Sequence, residues 1–173
     1  LITANSKRLK DALSGIQNIV LTGSGSSEYA GESVRLALQE QLGIPTSAIG
    51  GGTLLEHGPR AVPPIRPALL VSLARSGDSP ESIAALSLFL ESDRNVNHLV
   101  LTCNADGRLA NAVSPRVTVL VLDDSTNDRS LVMTSSFTNL VLAARALGYL
   151  DNPEAFREMV KKLSRIASHV LLN

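Results

Sequence analysis

The chain has 173 residues, 44% of them apolar and 18% charged, with 16 Lys+Arg balanced by 16 Asp+Glu. That length suffices for one domain with a full core, and zero net charge leaves no positive field to draw in nucleic acid or an anionic membrane. A lone cysteine, Cys103, excludes an internal disulfide, and 3% aromatic residues are too few for base-stacking platforms.

No apolar run reaches the ~18 residues of a membrane span and no signal peptide opens the chain, so a cytoplasmic location is expected. Residues 1–13, LITANSKRLKDAL, read as the back half of a helix. The apolar run NIVLTG at 18–23 is compact, β-branched and closed by glycine, which predicts a buried strand. A helix follows from about Ser27 to Leu42, with Ala30, Val34, Leu38 and Leu42 on one face and Gly43 as its stop.

PTSAIGGGT reads as a short strand that breaks into a glycine loop, and the proline-rich stretch 61–67 cannot be a central strand. ALLVSLA at 68–74 is the next strand. Pro80 then opens a helix to about Leu90, with Ser79 as its N-cap. HLVLTC at 98–103 is a fourth strand, 105–113 a short helix, and RVTVLVL at 116–122 a fifth strand. A long helix runs from about Leu131 to Leu147, ended by Gly148, and a last one follows Pro153 with no closing cap. Strand runs that are apolar throughout predict an α/β fold: a three-layer sandwich around a five-stranded parallel sheet.

Ligands of such sheets bind at the carboxyl ends of the strands, near the point where strand order reverses. Three strand ends share one chemistry there: GSGSSE at 23–28, RSGDSPES at 75–82 and DDSTNDRSLVMTSS at 123–136. Each mixes small residues with hydroxyls and leads into a helix N-terminus, where free amides and the helix dipole favour an anion without any lysine. For one loop alone, caps and turns would be the simpler reading; three on one sheet edge favour a phosphate monoester. Glu28 stands where a dinucleotide fingerprint needs its third glycine, and no P-loop lysine follows.

The first two loops resemble those of the sugar isomerase (SIS) domain family, and NDRSLVMTSSFTNL at 127–140 resembles its tagatose-6-phosphate isomerase and galactosamine-6-phosphate deaminase/isomerase branch. The resemblance covers residues 16–147 and implies a flavodoxin-like SIS topology. It implies binding of a hexose 6-phosphate, with Ser26 and Ser27 of the first loop, Arg75, Ser76 and Ser79 of the second, and Thr134 of the third, beside Met133, as sugar-phosphate contacts. Ala74 departs from relatives that carry a serine there. Members of the branch hold two SIS domains in tandem. The chain is therefore expected to be a single SIS domain over 1–173, core about 16–148, cut from a longer protein. Its terminal helices 1–13 and 153–172 would pack on a partner domain or a second protomer.

Moving a proton between adjacent sugar carbons needs a base, and ring opening needs a further group. His57, in EHGP, resembles the ring-opening histidine of synthase-type SIS domains; the alternative is an ordinary loop histidine. Glu28 reads first as a helix-stabilising carboxylate. His98 and His169 read as surface or packing residues and Cys103 as a buried small hydrophobe. No Cys/His cluster suggests a metal, and no cofactor is expected. The expected reaction is aldose–ketose isomerisation or amino-sugar-phosphate deamination, the alternative a non-catalytic sugar-phosphate sensor in a regulator.

Overall fold

The computed structural model describes residues 3–130 and 132–172. Five strands, β1 (Asn18–Thr22), β2 (Thr46–Ala48), β3 (Ala68–Ala74), β4 (Val96–Thr102) and β5 (Val117–Val121), form one parallel sheet in the order β2-β1-β3-β4-β5. Every residue of β1 and β3 is buried, because helices cover both faces of the sheet. The helices are α1 (Ser6–Leu13), α2 (Ser26–Leu42), α3 (Gly51–His57), α4 (Pro80–Ser92), α5 (Ser135–Ala146) and α6 (Pro153–Leu172). None is long and apolar enough to cross a membrane, among the described residues.

Alternation along the strands splits the core in two. Ile19, Leu21, Leu69, Val71, Leu73, Leu99 and Leu101 pack with Leu9 of α1, Val34 and Leu38 of α2 and Leu140 of α5. On the opposite face Val20 and Leu70 pack with Leu54 of α3 and with Ala85 and Phe89 of α4. The chain runs from β1 out to β2 and returns past β1 to β3, so strand order reverses between β1 and β3. Their pairing, Asn18 opposite Ala68 through Thr22 opposite Ser72, brings both carboxyl ends level at that crevice.

Several elements differ from expectation. The GGT glycines do not form a loop but open α3. Gly51 donates its amide to the Gly23 carbonyl at 2.9 Å, and a Cβ at Gly51 would lie 3.2 Å from Ser24 Oγ, so any side chain there would press on Ser24. Residues 105–111 are turns and 112–113 irregular, where a helix was expected. A Cβ at Gly107 would overlap the Ser76 carbonyl oxygen, so this segment is shaped by contact with its neighbour. Strand β4 starts two residues earlier than expected, which places His98 inside the sheet and buried, the packing alternative of its sequence reading.

Helix α5 begins at Ser135, while its expected start at Leu131 lies outside the described residues. Gly148 does not end it. That glycine sits in a 3-10 turn (Leu147–Tyr149), where a side chain would collide with Gln41 of α2. Gly43 does close α2 in the left-handed conformation, φ +65°, its amide bonded to the Gln39 carbonyl at 2.9 Å. Pro80 opens α4 as expected, but Ser79 at the N-cap makes no side-chain capping bond.

Candidate functional site

The first loop is set by two glycines. A Cβ at Gly23 would stand 2.7 Å from the backbone and Cβ of Ser27, so only glycine lets the first turn of α2 close on the end of β1. Gly25, at φ +60°, turns the chain into that helix. Ser26 is then exposed at the mouth of the loop and Ser27 buried beneath it. Ser24 Oγ shares a hydrogen bond of 3.3 Å with Ser82 Oγ in the first turn of α4. The first and second loops are thus joined across the crevice.

The second loop, 75–79, is held from below by the turns after β4. Asn104 Nδ2 donates to the Ser76 carbonyl at 2.9 Å, the Leu109 amide to the Gly77 carbonyl at 3.0 Å, and the Arg108 amide to Asp78 Oδ1 at 3.0 Å. Gly77 adopts φ +72° and the Ser76 hydroxyl accepts the Asp78 amide at 3.3 Å. These bonds fix where the Ser76 hydroxyl stands, and Ser79, without a capping bond, keeps its hydroxyl for another partner. Nothing at Asn104 or Gly107 in the sequence signals this clamp, because its partners lie 28 or more positions away.

The third loop reaches the other two through Arg75, whose Nη1 donates to the Ser130 carbonyl at 2.6 Å. The N-terminus of α5, expected to offer amides to an anion, is occupied by this chain's own Asp128. Its carboxylate accepts from the amides of Thr134 (2.9 Å), Ser135 (3.3 Å) and Ser136 (2.8 Å), and from Ser136 Oγ at 2.6 Å. The Ser136 hydroxyl bond, then the Ser136, Thr134 and Ser135 amides, hold the Asp128 carboxyl down at about 2. Thr134 also turns its hydroxyl to Asp128, at 3.4 Å. Asp128 went unrecognised in the sequence because six to eight residues of irregular chain separate it from its partners.

His57 is the last residue of α3 and is exposed, its Nε2 3.8 Å from Glu56 Oε2. It lines an open cleft of about 650 Å³ beyond the ends of β1 and β2, together with Glu28, Gly50, Thr53 and Arg60. This cleft adjoins the first loop through the Gly51–Gly23 bond. Five of the sequence-predicted residues, Ser26, Ser27, Arg75, Ser76 and Ser79, therefore lie on the two loops that flank the β1/β3 crevice. Thr134 lies on the third loop and His57 in the neighbouring cleft. Cys103 is buried, and burial, more than any neighbour, pushes its thiol pKa up.

Comparison with known proteins agrees with this layout. The SIS domain family model matches residues 12–148. An AgaS protein of Streptomyces coelicolor is 41% identical over 160 residues, 91% of this chain and 40% of its own length. D-galactosamine-6-phosphate deaminase AgaS of Shewanella sp. is 35% identical over 158 residues, 88% of this chain and 40% of its own. Among solved structures, a chain from Clostridium novyi matches with a TM-score of 0.88 at 31% identity, covering 99% of this chain and 46% of its own. Tagatose-6-phosphate ketose/aldose isomerase from Escherichia coli matches with a TM-score of 0.81 at 30% identity, covering 98% and 48%. The chain thus spans two-fifths of the length of these curated relatives and just under half of each solved chain. With the parallel sheet, the two hydroxyl-rich loops at the strand reversal and the family match over most of its length, this chain belongs to the SIS domain family.

Proposed function

We propose that this chain is the phosphosugar-binding unit of an aldose–ketose isomerase or amino-sugar-phosphate deaminase/isomerase acting on hexose 6-phosphates. The observation that carries the reading is the pair of clamped, hydroxyl-rich loops at the β1/β3 crevice, joined by the Ser24–Ser82 bond. Relatives named for galactosamine 6-phosphate and tagatose 6-phosphate support the choice of substrate class.

In this reading the phosphate rests on the hydroxyls of Ser26, Ser27, Ser76 and Ser79 and on the amides of those loops. A neutral chain then needs no lysine to hold it. Arg75 fixes the third loop over the sugar, with Thr134 on its rim. His57 serves ring opening from the cleft beside the first loop. Neither isomerisation nor deamination changes the net oxidation state of substrate and product together, so acid–base groups suffice and no cofactor is invoked. A second SIS domain or a second protomer would complete the site, seated on the exposed second half of α6, since α1 packs into this chain's own core.

Turnover of galactosamine 6-phosphate and tagatose 6-phosphate by this chain together with the domain or protomer that completes its site, followed by ammonia release and by ketose–aldose interconversion, tests the proposal. One of the two is expected to turn over, and Ser76→Ala should weaken its binding by about tenfold, the worth of one hydrogen bond to a charged group. Binding without turnover of either would favour the sensor alternative. No binding of any hexose 6-phosphate would sink both.

A further inference from the structure

Glu28 is the third residue of α2, the position from which a glutamate usually folds back onto the N-cap amide. Here it does not: Gly25 at the N-cap has no side-chain partner, and the carboxylate of Glu28 makes no hydrogen bond or ion pair among the described residues. It is laid instead across Gly50, where a Cβ would stand 2.6 to 2.7 Å from both carboxylate oxygens and their carbon. Gly50 has φ −60° and ψ 147°, a conformation open to any residue, so glycine is not required there by the backbone. What glycine supplies is room for the carboxylate.

The result is an unpartnered negative charge on the wall of the cleft that also holds His57, Thr53 and Arg60. The guanidinium of Arg60, which lines the same cleft, likewise makes no hydrogen bond or ion pair among the described residues. An unpaired carboxylate discriminates between hydroxyl and ammonium groups, because both can donate to it but only the ammonium adds the attraction of an opposite charge. Amino-hexose and ketohexose 6-phosphates share the phosphate and most hydroxyls; they differ in which of C1 and C2 carries the carbonyl, and only the amino-hexose bears an ammonium, at C2.

We infer that Glu28, seated by Gly50, is the ammonium-recognising group that selects amino-hexose 6-phosphates over neutral ketohexose 6-phosphates. The inference rests on the phosphosugar reading above and deepens it toward the deaminase. Glu28→Gln keeps a hydrogen-bonding group of the same shape and removes only the charge. Gly50→Ala leaves Glu28 intact and displaces its carboxylate.

The test is calorimetric titration of the full chain and both variants with galactosamine 6-phosphate and tagatose 6-phosphate. The ratio of the two affinities is expected to fall about tenfold or more in Glu28→Gln. It should fall in the same direction in Gly50→Ala, with no further fall in the double variant. A ratio unchanged in Glu28→Gln overturns the inference while leaving the phosphosugar reading standing. If the wild-type chain binds neither compound, the phosphosugar reading has failed and the inference falls with it.

Discussion

His98 occupies the third position of β4 with 1% of its surface exposed, and neither ring nitrogen has a partner among the described residues. Burial first, and the nearby Arg116 guanidinium second, push its pKa down from the usual 6.5 to about 4. The folded chain therefore keeps this imidazole neutral where the unfolded chain would protonate it. Stability from this group is complete above the unfolded value near 6.5 and drains away as pH falls toward 4, by about 2 to 3 kcal/mol. Urea unfolding at pH 7 and pH 4.5 should show that loss, and His98→Leu should remove most of it. Two carboxylates act in a lower window. Burial raises Asp93, but bonds from Arg66 (Nε to Oδ2, 2.8 Å) and the Asn95 amide outweigh it, and Asp128 is also held low. Both lose their contribution only as pH drops through the ordinary carboxylate range.

At the scale of elements, α5 depends on one residue outside itself. Asp128 gathers the first three free amides of that helix, so the helix start and the third loop form one unit. Asp128→Asn is expected to lower the melting temperature at pH 7. The difference from wild type should narrow at pH 3, as the native carboxyl approaches protonation at about 2. A gap that stays constant down to pH 3 would show that charge at this position does not matter. Strands and long helices were legible element by element: β3 ends where the sequence placed it, and α2 shows its apolar face at Ala30, Val34 and Leu38. Helix α3 was not. Its glycines read as loop formers, and only the packing of Gly51 against Gly23 and Ser24 and the burial of Leu54 give them a different reason. The turns at 105–111 failed in the same way, since a helical composition there yields to the contact of Gly107 with Ser76.

For the molecule as a whole, α6 is the unfinished surface. Phe156 packs on Tyr149 with ring centroids 5.7 Å apart, and Met159 lies beside Tyr149 and Arg145, so the first half of the helix is docked on the body. Beyond it Leu163, Ile166 and Val170 repeat at helical spacing and stay exposed. Ile166→Asp should change folding stability by no more than about 0.5 kcal/mol, as for surface sites in general. If this stripe seats a second SIS domain or protomer, the same variant should lower the molecular mass seen by light scattering. An unchanged mass would remove the stripe from the interface.

The sequence by itself determined the parallel α/β architecture, because period and composition of apolar runs are local properties that the sheet and its covering helices simply satisfy. It also determined which loops carry hydroxyls, and through them the SIS resemblance that the family match bears out. Tertiary structure alone decided which donors remain free. Asp128 occupies the start of α5, the turns after β4 clamp Ser76, and Gly50 turns Glu28 into the cleft of His57. The last two are contacts between residues distant in sequence and the first crosses six to eight residues of irregular chain, where no local periodicity exists to be read.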